Sequence, residues 1–235
     1  MTADAILARL VAGQSISGRH VLVTAHADDE TISASAALCA VMDPILVQLT
    51  ERRDERAAAL EAGDWSPTVV DLFITNRETL LCLRQIATAL ERVLDGADVV
   101  WTHPYEGGHL DHDSAAWAVA MAVSRLQRKP LHLEFASYHL AEQKRHAFGE
   151  FWPDAGCPVA TVRLDGARFE RKLAAVRAYG SQAHILKKFP APAIEPYRVA
   201  PRYDFSRPSP PPRSRWDVKG YTPSTATWRV AAEAA

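Results

Sequence analysis

Cysteine is scarce in this chain of 235 residues. Cys39, Cys82 and Cys157 are odd in number, widely spaced and free of any C-x-x-C pair, which argues against a disulfide framework and against a thiolate zinc site. Long apolar runs are also missing. Nowhere do the roughly 18 consecutive apolar residues of a membrane span occur, and the first residues contain no basic leader with an apolar core. We therefore expect a soluble, unexported, cytoplasmic protein whose thiols are buried as small hydrophobic groups.

An excess of charge of either sign is absent as well. The 27 basic and 28 acidic residues give a formal net charge of -1, and no block of lysine and arginine stands out. Nucleic acids and anionic membranes attract proteins mainly through clustered positive charge, so neither is expected as a partner. The composition instead favours a small-molecule partner.

Short apolar runs alternate with stretches of helical periodicity. Strands are predicted at 20–25, 44–49, 69–74, 98–103, 131–139 and 158–164. Helices are predicted at 31–42, 52–63, 77–94, 114–126 and 168–179. This alternation predicts an α/β protein with a Rossmann-like, three-layer α/β/α fold and a mainly parallel sheet. The hydrophobic content of 48% is enough to bury one sizeable core.

Proline is concentrated near the C-terminus, where nine of the fifteen prolines follow residue 189. Because proline disrupts helices, we expect non-helical chain over residues 189–215, and we divide the chain into one domain over 1–189 and an extended, proline-rich segment over 190–235. Docking of this segment into an SH3-type partner is one interpretation. Packing on its own domain is favoured, because the segment contains aromatic anchors at Tyr197, Tyr203, Phe205 and Trp216.

Ionisable side chains follow the first and the fourth predicted strands. Residues 26–30 read His-Ala-Asp-Asp-Glu directly after the first apolar run, and segment 102–113 contains three histidines and three acids. In a doubly wound sheet of order 3-2-1-4-5 these two strands are neighbours at the switch point, where ligands bind beyond the carboxyl ends of the strands. We therefore expect Asp29 and His112, 83 residues apart, to meet over one crevice.

The two clusters contain the side chains of a catalytic metal site. Two imidazoles and one carboxylate with an open position are a common arrangement for Zn²⁺, which takes N and O ligands at about 2.0–2.2 Å. His26 and Asp29 are three residues apart in a turn, as are His109 and His112 at the entry to a helix, although only one of the latter need be a ligand. Zinc can lower the pKa of a bound water from about 15.7 to roughly 7. A carboxylate such as Asp28 can accept the water's proton and an imidazole can stabilise an oxyanion, so the pattern favours hydrolysis of an amide or ester.

Structural interpretations exist for the same residues. Asp29, Glu30 or Thr31 could cap the following helix, since acids near a helix N-terminus stabilise it by about 0.3–1 kcal/mol, and the same holds for Asp111 and Asp113. Other histidines are interpreted as surface or core residues, namely His103, His132, His139, His146 and His184. Capping does not explain why histidines from both clusters should meet at one edge. The metal site is therefore the preferred interpretation.

Two absences weigh against other enzyme and binding classes. No G-x-G-x-x-G follows the first predicted strand, and the acids found there would repel a pyrophosphate, which disfavours a nucleotide-binding Rossmann protein. No G-x-S-x-G elbow occurs, which disfavours a serine hydrolase.

Both clusters resemble the signatures of the LmbE-like, or PIG-L, family of metal-dependent de-N-acetylases. The family's A-H-P-D-D-E corresponds to A-H-A-D-D-E at 25–30, and its G-H-P-D-H corresponds to G-H-L-D-H at 108–112. Two weaker similarities are an R-x-x-E helix, here Arg52 and Glu55, and a late K-x-x-A-x-x-x-Y-x-S-Q segment at 172–182. The resemblance spans residues 18–185 and does not include the proline-rich segment.

The resemblance implies a role for each matching position. It implies zinc ligands at His26, Asp29 and His112, a general base at Asp28, an oxyanion stabiliser or proton donor at His109 oriented by Asp111, and a substrate contact at Arg52. Family members remove acetyl from an N-acetylglucosamine unit attached to an inositol, a malate, a lipid or an antibiotic aglycone, or deacylate chito-oligosaccharides. The implied protein is a zinc-dependent de-N-acetylase of an amino-sugar conjugate, and members often self-associate as homo-oligomers. His/Asp ligation is also compatible with Fe²⁺, Co²⁺ or Mn²⁺.

Two signature prolines are replaced, one by Ala27 and the other by Leu110. Both loops thereby lose a fixed φ and gain a backbone N–H. Relaxing such a turn residue costs about 1 kcal/mol or less, which is too little to abolish a metal site. The alternative function is a catalytically impaired metal- or glycoside-binding protein of the same fold, which would bind a glycoside tightly without releasing acetate.

Overall fold

The computed structural model describes residues 1–51, 53–141, 145–186 and 191–235. The strands are β1 (His20–Thr24), β2 (Ile45–Thr50), β3 (Thr68–Ile74), β4 (Val99–Thr102), β5 (Leu131–Phe135), β6 (Tyr138–Leu140), β7 (His146–Phe148), β8 (Val159–Arg163) and β9 (Ile194–Val199). The helices are α1 (Ala3–Val11), α2 (Asp29–Ser33), α3 (Ser35–Ala40), α4 (Arg53–Ala62), α5 (Leu83–Leu94), α6 (Leu110–Arg125), α7 (Gly166–Ala178), α8 (Ala183–Leu186), α9 (Arg215–Val218) and α10 (Thr225–Ala234). Short 3₁₀ turns occupy Thr79–Cys82 and Gly180–Gln182.

Within these ranges, seven strands form one sheet in the order β3-β2-β1-β4-β5-β9-β8. The first five strands of this order are parallel, whereas β9 runs antiparallel to both of its neighbours. Strands β6 and β7 pair separately as an antiparallel hairpin. The observed 3-2-1-4-5 order confirms the predicted arrangement. It also places the carboxyl ends of β1 and β4 side by side at the switch point of the sheet.

Helices cover both faces of the sheet and give the predicted three-layer architecture. One core packs the sheet against α1, α3, α4 and α7, and the other packs it against α5, α6 and α10. Along β1, Leu22 points into the first core while Val21 and Val23 point into the second, and all three are fully buried. A strand that is buried on both faces reads as a continuous apolar run because successive side chains alternate between the faces.

The prediction that residues 190–235 form an extended segment is wrong at the end of that segment. Strand β9 is extended and lies inside the sheet between β5 and β8, but α9 and α10 are helical. Helix α10 begins after the last proline, Pro223, with Ser224 as its N-cap: the Ser224 hydroxyl accepts from the backbone N–H of Thr227 at 3.1 Å. Trp228 anchors this helix, since its indole is fully buried and donates to Ser114 Oγ of α6 at 2.9 Å.

Smaller differences from the predictions lie at element boundaries. The helix predicted over 31–42 is divided at Ala34, where φ is -133° and ψ is 19°, into α2 and α3. The strand predicted over 131–139 is likewise divided into β5 and the first part of β6. In the described part of the chain, none of the helices combines the length and apolar character that crossing a bilayer requires.

Candidate metal centre

The two acidic and histidine-rich clusters meet at the carboxyl edge of the sheet. His26 and Asp28 lie in the turn that leads from β1 into α2, whose first residue is Asp29. His109 is the N-cap of α6, which follows β4 and contains His112 in its first turn. Because β1 and β4 pair directly, both turns open onto the same crevice. The predicted convergence of the two distant segments is therefore present in the structure.

His26, Asp29 and His112 bring three potential ligand atoms together. Nδ1 of His26 lies 3.2 Å from Nε2 of His112, and Asp29 reaches them with Oδ2 at 3.4 Å from His26 Nδ1 and Oδ1 at 3.4 Å from His112 Nε2. One atom from each side chain falls within 4.8 Å of the others. Two imidazole nitrogens and one carboxylate oxygen are the donor set of catalytic zinc sites. The three side chains therefore fit a divalent cation.

Asp111 supports the other side of the His26 ring. Its Oδ2 lies 3.0 Å from His26 Nε2 and also accepts the backbone N–H of Arg77 at 2.8 Å, while Oδ1 accepts from Thr79 Oγ1 at 2.5 Å. The distance from Asp111 Oδ2 to His109 Nδ1 is longer, at 3.7 Å. Asp111 is thus closer to His26 than to His109, the residue that the resemblance gave as its partner. A carboxylate that binds the second nitrogen of a ligand histidine fixes the ring's orientation.

An alternative grouping of donors shares the same histidine. His26, His109 and Asp111 also offer ligand atoms within 4.8 Å of one another. In this grouping, however, His109 Nδ1 already accepts the backbone N–H of Asp111 at 3.1 Å. Its lone pair is therefore engaged, which favours the set of His26, Asp29 and His112 for a cation.

The crevice has an electrostatic field that favours positive charge at His26. Burial alone would lower the pKa of His26, but hydrogen bonds to Asp111 and Asp29 outweigh it and raise that pKa to about 10. Burial raises the pKa of Asp29, yet the neighbouring His112 and His103 hold it well below its ordinary value. A cation that binds at this position must displace the proton of His26. The same two carboxylates that attract the proton would attract the metal.

The other two histidines of the cluster are held neutral. Burial, with a smaller contribution from the nearby His103, lowers the pKa of His112 to about 4. Burial and the nearby His26 also hold the pKa of His109 well below its ordinary value. Neutral His112 can offer a lone pair to a metal. In His109, Nδ1 accepts a hydrogen bond, so the ring carries its proton on Nε2 and can donate there.

The structure does not support the capping interpretation for the first cluster. Asp28 occupies the N-cap position of α2, yet no side-chain cap hydrogen bond is made there. The carboxylate of Asp29 accepts the backbone N–H of His26 at 2.8 Å, which turns it back toward the crevice. Glu30 is fully buried and accepts from the Tyr179 hydroxyl at 2.5 Å. Burial raises the pKa of Glu30 to about 7, although the hydrogen bond from Tyr179 acts to lower it.

His103 is a fully buried histidine, as one of the two sequence interpretations has it, and it lies against the candidate site. Its Nε2 accepts the backbone N–H of Ala25 at 3.1 Å and its Nδ1 lies 2.7 Å from Ser137 Oγ, so the ring carries its proton on Nδ1. The ring stacks on His112 with centroids 4.0 Å apart. No periodic pattern in the sequence distinguishes such a histidine. Its role depends on contacts with distant residues.

Two glycines allow the loop before α6 to pack closely. A Cβ on Gly108 would stand 1.9 Å from the carbonyl oxygen of Tyr138, and a Cβ on Gly107, where φ is +65°, would stand 2.6 Å from Ser209 Oγ. Only glycine fits such approaches. The groups that approach these two glycines are the protein's own Tyr138 backbone in β6 and the Ser209 side chain.

The two weaker sequence similarities are joined in space. Glu55 of α4 accepts the backbone N–H and the hydroxyl of Ser181 at 2.7 and 2.6 Å. Lys172 of α7 is fully buried and donates to the carbonyl of Ile32 at 2.7 Å, which supports the end of α2. The predicted substrate contact Arg52 lies outside the described residues. Its role stays a prediction, as do the roles of the other named site residues.

Comparisons with known proteins agree with this fold. No protein-family model and no curated protein matches the chain, but solved structures do. The A40926 pseudoaglycone deacetylase Dbv21 has a TM-score of 0.58 and 15% identity, over 80% of this chain and 98% of that one. A deacetylase–bog complex from teicoplanin biosynthesis has a TM-score of 0.56 and 14% identity, over 77% and 96%.

The zinc-inhibited form of the teicoplanin deacetylase Orf2 has a TM-score of 0.53 and 13% identity, over 77% of this chain and 97% of that one. At such low identity the similarity shows a shared fold. The chain therefore has the fold of these deacetylases, which is the fold that the resemblance to the LmbE-like family implies.

Proposed function

We propose that the protein is a divalent-metal-dependent de-N-acetylase that hydrolyses the N-acetyl group of an N-acetylglucosamine-type amino-sugar conjugate. The observation that carries this proposal is the convergence of His26, Asp29 and His112 within 4.8 Å at the switch point of the sheet. The solved structures of similar fold include three deacetylase structures, one named for the A40926 pseudoaglycone and two for teicoplanin. That likeness supports the reaction type. Zinc is the proposed metal, with other divalent transition metals as alternatives.

His26, Asp29 and His112 would hold the metal. A bound divalent cation would polarise the amide carbonyl and lower the pKa of water. Asp28 would take the proton from the attacking water as general base. It lies next to ligand Asp29 in the same turn and is partly exposed, so it is placed at the surface of the crevice that solvent reaches.

His109 would stabilise the tetrahedral oxyanion. Its Nδ1 is engaged by the backbone N–H of Asp111, so the neutral ring presents Nε2 as the donor. A donor fixed in position before the reaction stabilises developing negative charge without reorganisation. The overall reaction consumes one water and gives acetate and the free amine. The proton that Asp28 takes from water is returned to the leaving nitrogen.

The replacements at Ala27 and Leu110 do not favour the alternative of a catalytically impaired binding protein. Both side chains are buried, at 0% and 1% exposure, and pack in the two hydrophobic cores. The flanking site residues still converge. The two substitutions therefore serve packing without separating the proposed ligands.

The direct test is metal-dependent acetate release. The protein as purified is analysed for metals, stripped with a chelator, and reloaded with Zn²⁺, Co²⁺, Mn²⁺ or Fe²⁺ in separate samples. Acetate is then measured from N-acetylglucosamine conjugates that carry inositol, malate, lipid or aglycone groups. Because one deacetylase of similar fold is described in a zinc-inhibited form, zinc is titrated below and above one equivalent. We expect loss of activity on stripping and recovery with one equivalent of metal.

Two outcomes would contradict the proposal. Deacetylation that is undiminished by the chelator would exclude metal dependence. Tight binding of a glycoside with no acetate release, under any of the four metals, would favour the binding protein.

A further inference from the structure

The C-terminal segment, defined here as residues 200–235, docks on the loop that carries His109. The hydroxyl of Ser214 and the backbone N–H of Trp216 both donate to the carbonyl oxygen of Gly107, at 3.0 and 3.3 Å. Nη1 of Arg215 donates to the carbonyl of Gly108 at 3.3 Å. These three contacts come from consecutive residues of the segment. The contacts hold the C-terminal segment against the start of the G-H-L-D-H sequence at 108–112.

Trp216 contacts the ring of His109 directly. The two ring centroids lie 4.6 Å apart with an interplanar angle of 76°, an edge-to-face arrangement. His26 also lies edge-to-face on His109, with centroids 4.6 Å apart and an angle of 86°. The imidazole therefore contacts both a proposed metal ligand and an indole. The backbone N–H of Asp111 on Nδ1 supplies a third constraint.

The indole is itself fixed in place. Trp216 is fully buried, and its Nε1 donates to the carbonyl oxygen of Pro223 at 2.7 Å. Tyr221 packs against it with ring centroids 4.9 Å apart, and the guanidinium of Arg77 lies 5.8 Å from the centre of its ring. A tryptophan held on so many sides is a rigid support. Its position does not depend on the metal ligands.

We infer that Trp216 is a positioning residue for the proposed reaction, which orients His109 toward the oxyanion from a segment outside the family-like part of the chain. This inference rests on the proposed function for its kinetic consequence. Its geometric basis is the contact between Trp216 and His109, together with the contacts that hold Trp216 in place. Misplacing a catalytic group by about 1 Å costs on the order of 100-fold in rate. Trp216 is expected to act on kcat through His109, with little effect on metal content or KM.

Two matched variants separate ring contact from general packing. Trp216→Leu fills part of the space with apolar atoms but has no ring edge, whereas Trp216→Phe keeps a ring. We expect Trp216→Leu to lower kcat on the order of 100-fold and Trp216→Phe to retain most of it. KM and bound metal should stay close to wild type in both. Thermal unfolding is recorded for each variant to confirm that it folds.

A double-mutant cycle then asks whether Trp216 acts through His109. In the His109→Ala background, Trp216→Leu should cause no further loss of kcat. An equal loss in both backgrounds, or equal losses for the Leu and Phe variants, would overturn the inference and indicate a purely structural role.

A readout without turnover keeps the inference separate from the proposed function. Diethyl pyrocarbonate modifies exposed imidazoles, and peptide mass spectrometry reports the rate at His109. Trp216→Leu should raise that rate several-fold, while Trp216→Phe should leave it near wild type. If wild-type protein releases no acetate, the proposed function fails, and this measurement still tests whether Trp216 holds the His109 ring in place. An unchanged rate at His109 in Trp216→Leu would refute it.

Discussion

Nδ1 of His26 lies 3.2 Å from Nε2 of His112, although 86 residues of chain separate the two residues. The parallel pairing of β1 and β4 explains this approach, because it aligns the carboxyl ends of two strands that are distant in sequence. Asp29 lies 3.4 Å from both rings. The three side chains are therefore close enough to act as one site.

The first prediction concerns metal binding. His112→Ala removes one of three proposed ligands, and we expect the metal affinity to fall by more than the 10–100-fold that loss of an outer-sphere partner costs. Metal content after dialysis, measured by mass spectrometry, and acetate release should both fall to background. The matched control is His184→Ala, which removes an exposed histidine. Metal retained by His112→Ala at the wild-type level would refute the ligand set.

The second prediction separates the general base from the ligands. Asp28→Asn keeps the size of the side chain but cannot accept a proton, so kcat should fall by about 10²–10⁴-fold. Bound metal should remain at the wild-type level, because Asp28 is not among the proposed ligands. Acetate release and metal content are measured on the same preparation. Wild-type turnover in a metal-loaded Asp28→Asn protein would show that another group is the base.

The third prediction tests the support of His26 by Asp111. Asp111→Asn removes the negative charge beside His26 Nε2, 3.0 Å away. We expect metal affinity to fall by about 10–100-fold, as for other outer-sphere carboxylates. Thr79→Val is the graded control, since it removes only the hydroxyl that donates to Asp111 and should have a smaller effect. Metal affinity is measured by competition with a chelating dye. Equal effects of the two variants would contradict a charge-dependent role.

The main features of this fold were predictable because they depend on local pattern. The apolar run of β1 is buried on both faces, and helical periodicity at Leu83, Leu90 and Leu94 marks the buried face of α5. Together these patterns imply strands that alternate with helices. The rule that ligands bind beyond the carboxyl ends at a switch point then placed His26 near His112.

The remaining features depend on contacts between distant residues, which no local pattern reveals. His103 lies against the candidate site because its ring stacks on His112 and accepts the backbone N–H of Ala25, 78 residues away. Trp216 contacts His109. It lies in a segment that is rich in proline and was predicted to be extended. Helix α10 was not predicted because the many prolines before it indicated extended chain. The helix is stabilised by its N-cap Ser224 and by the contact of Trp228 with Ser114 of α6.

The fourth prediction concerns stability at the buried Lys172. Its Nζ donates to Glu195 at 2.6 Å, and both side chains are fully buried. Lys172→Met leaves the Glu195 carboxylate without its cation, which should lower the free energy of unfolding by about 3–5 kcal/mol. Urea denaturation measures the change. The double variant Lys172→Met/Glu195→Gln should recover part of the loss, because the uncompensated charge is gone. No recovery would show that the Lys172 contacts to backbone carbonyls dominate.

The fifth prediction concerns the pH dependence of stability at His132 in β5. Burial lowers the pKa of His132 from 6.5 to about 4, and its Nε2 is buried without a hydrogen-bond partner in the described structure. Between pH 6.5 and 4 the unfolded chain therefore binds a proton at this residue that the folded chain does not, so stability falls as the pH falls through this window.

A shift of this size corresponds to a loss of up to about 3 kcal/mol on acidification, at about 1.36 kcal/mol per pKa unit. His132→Leu should remove this contribution, so its free energy of unfolding should decline less than that of wild type between pH 6.5 and 4. Urea denaturation at several pH values measures both proteins, with His184→Leu as the exposed control. Parallel pH profiles for wild type and His132→Leu would show that His132 is not held neutral by burial, because replacing a histidine that titrates normally leaves the profile unchanged.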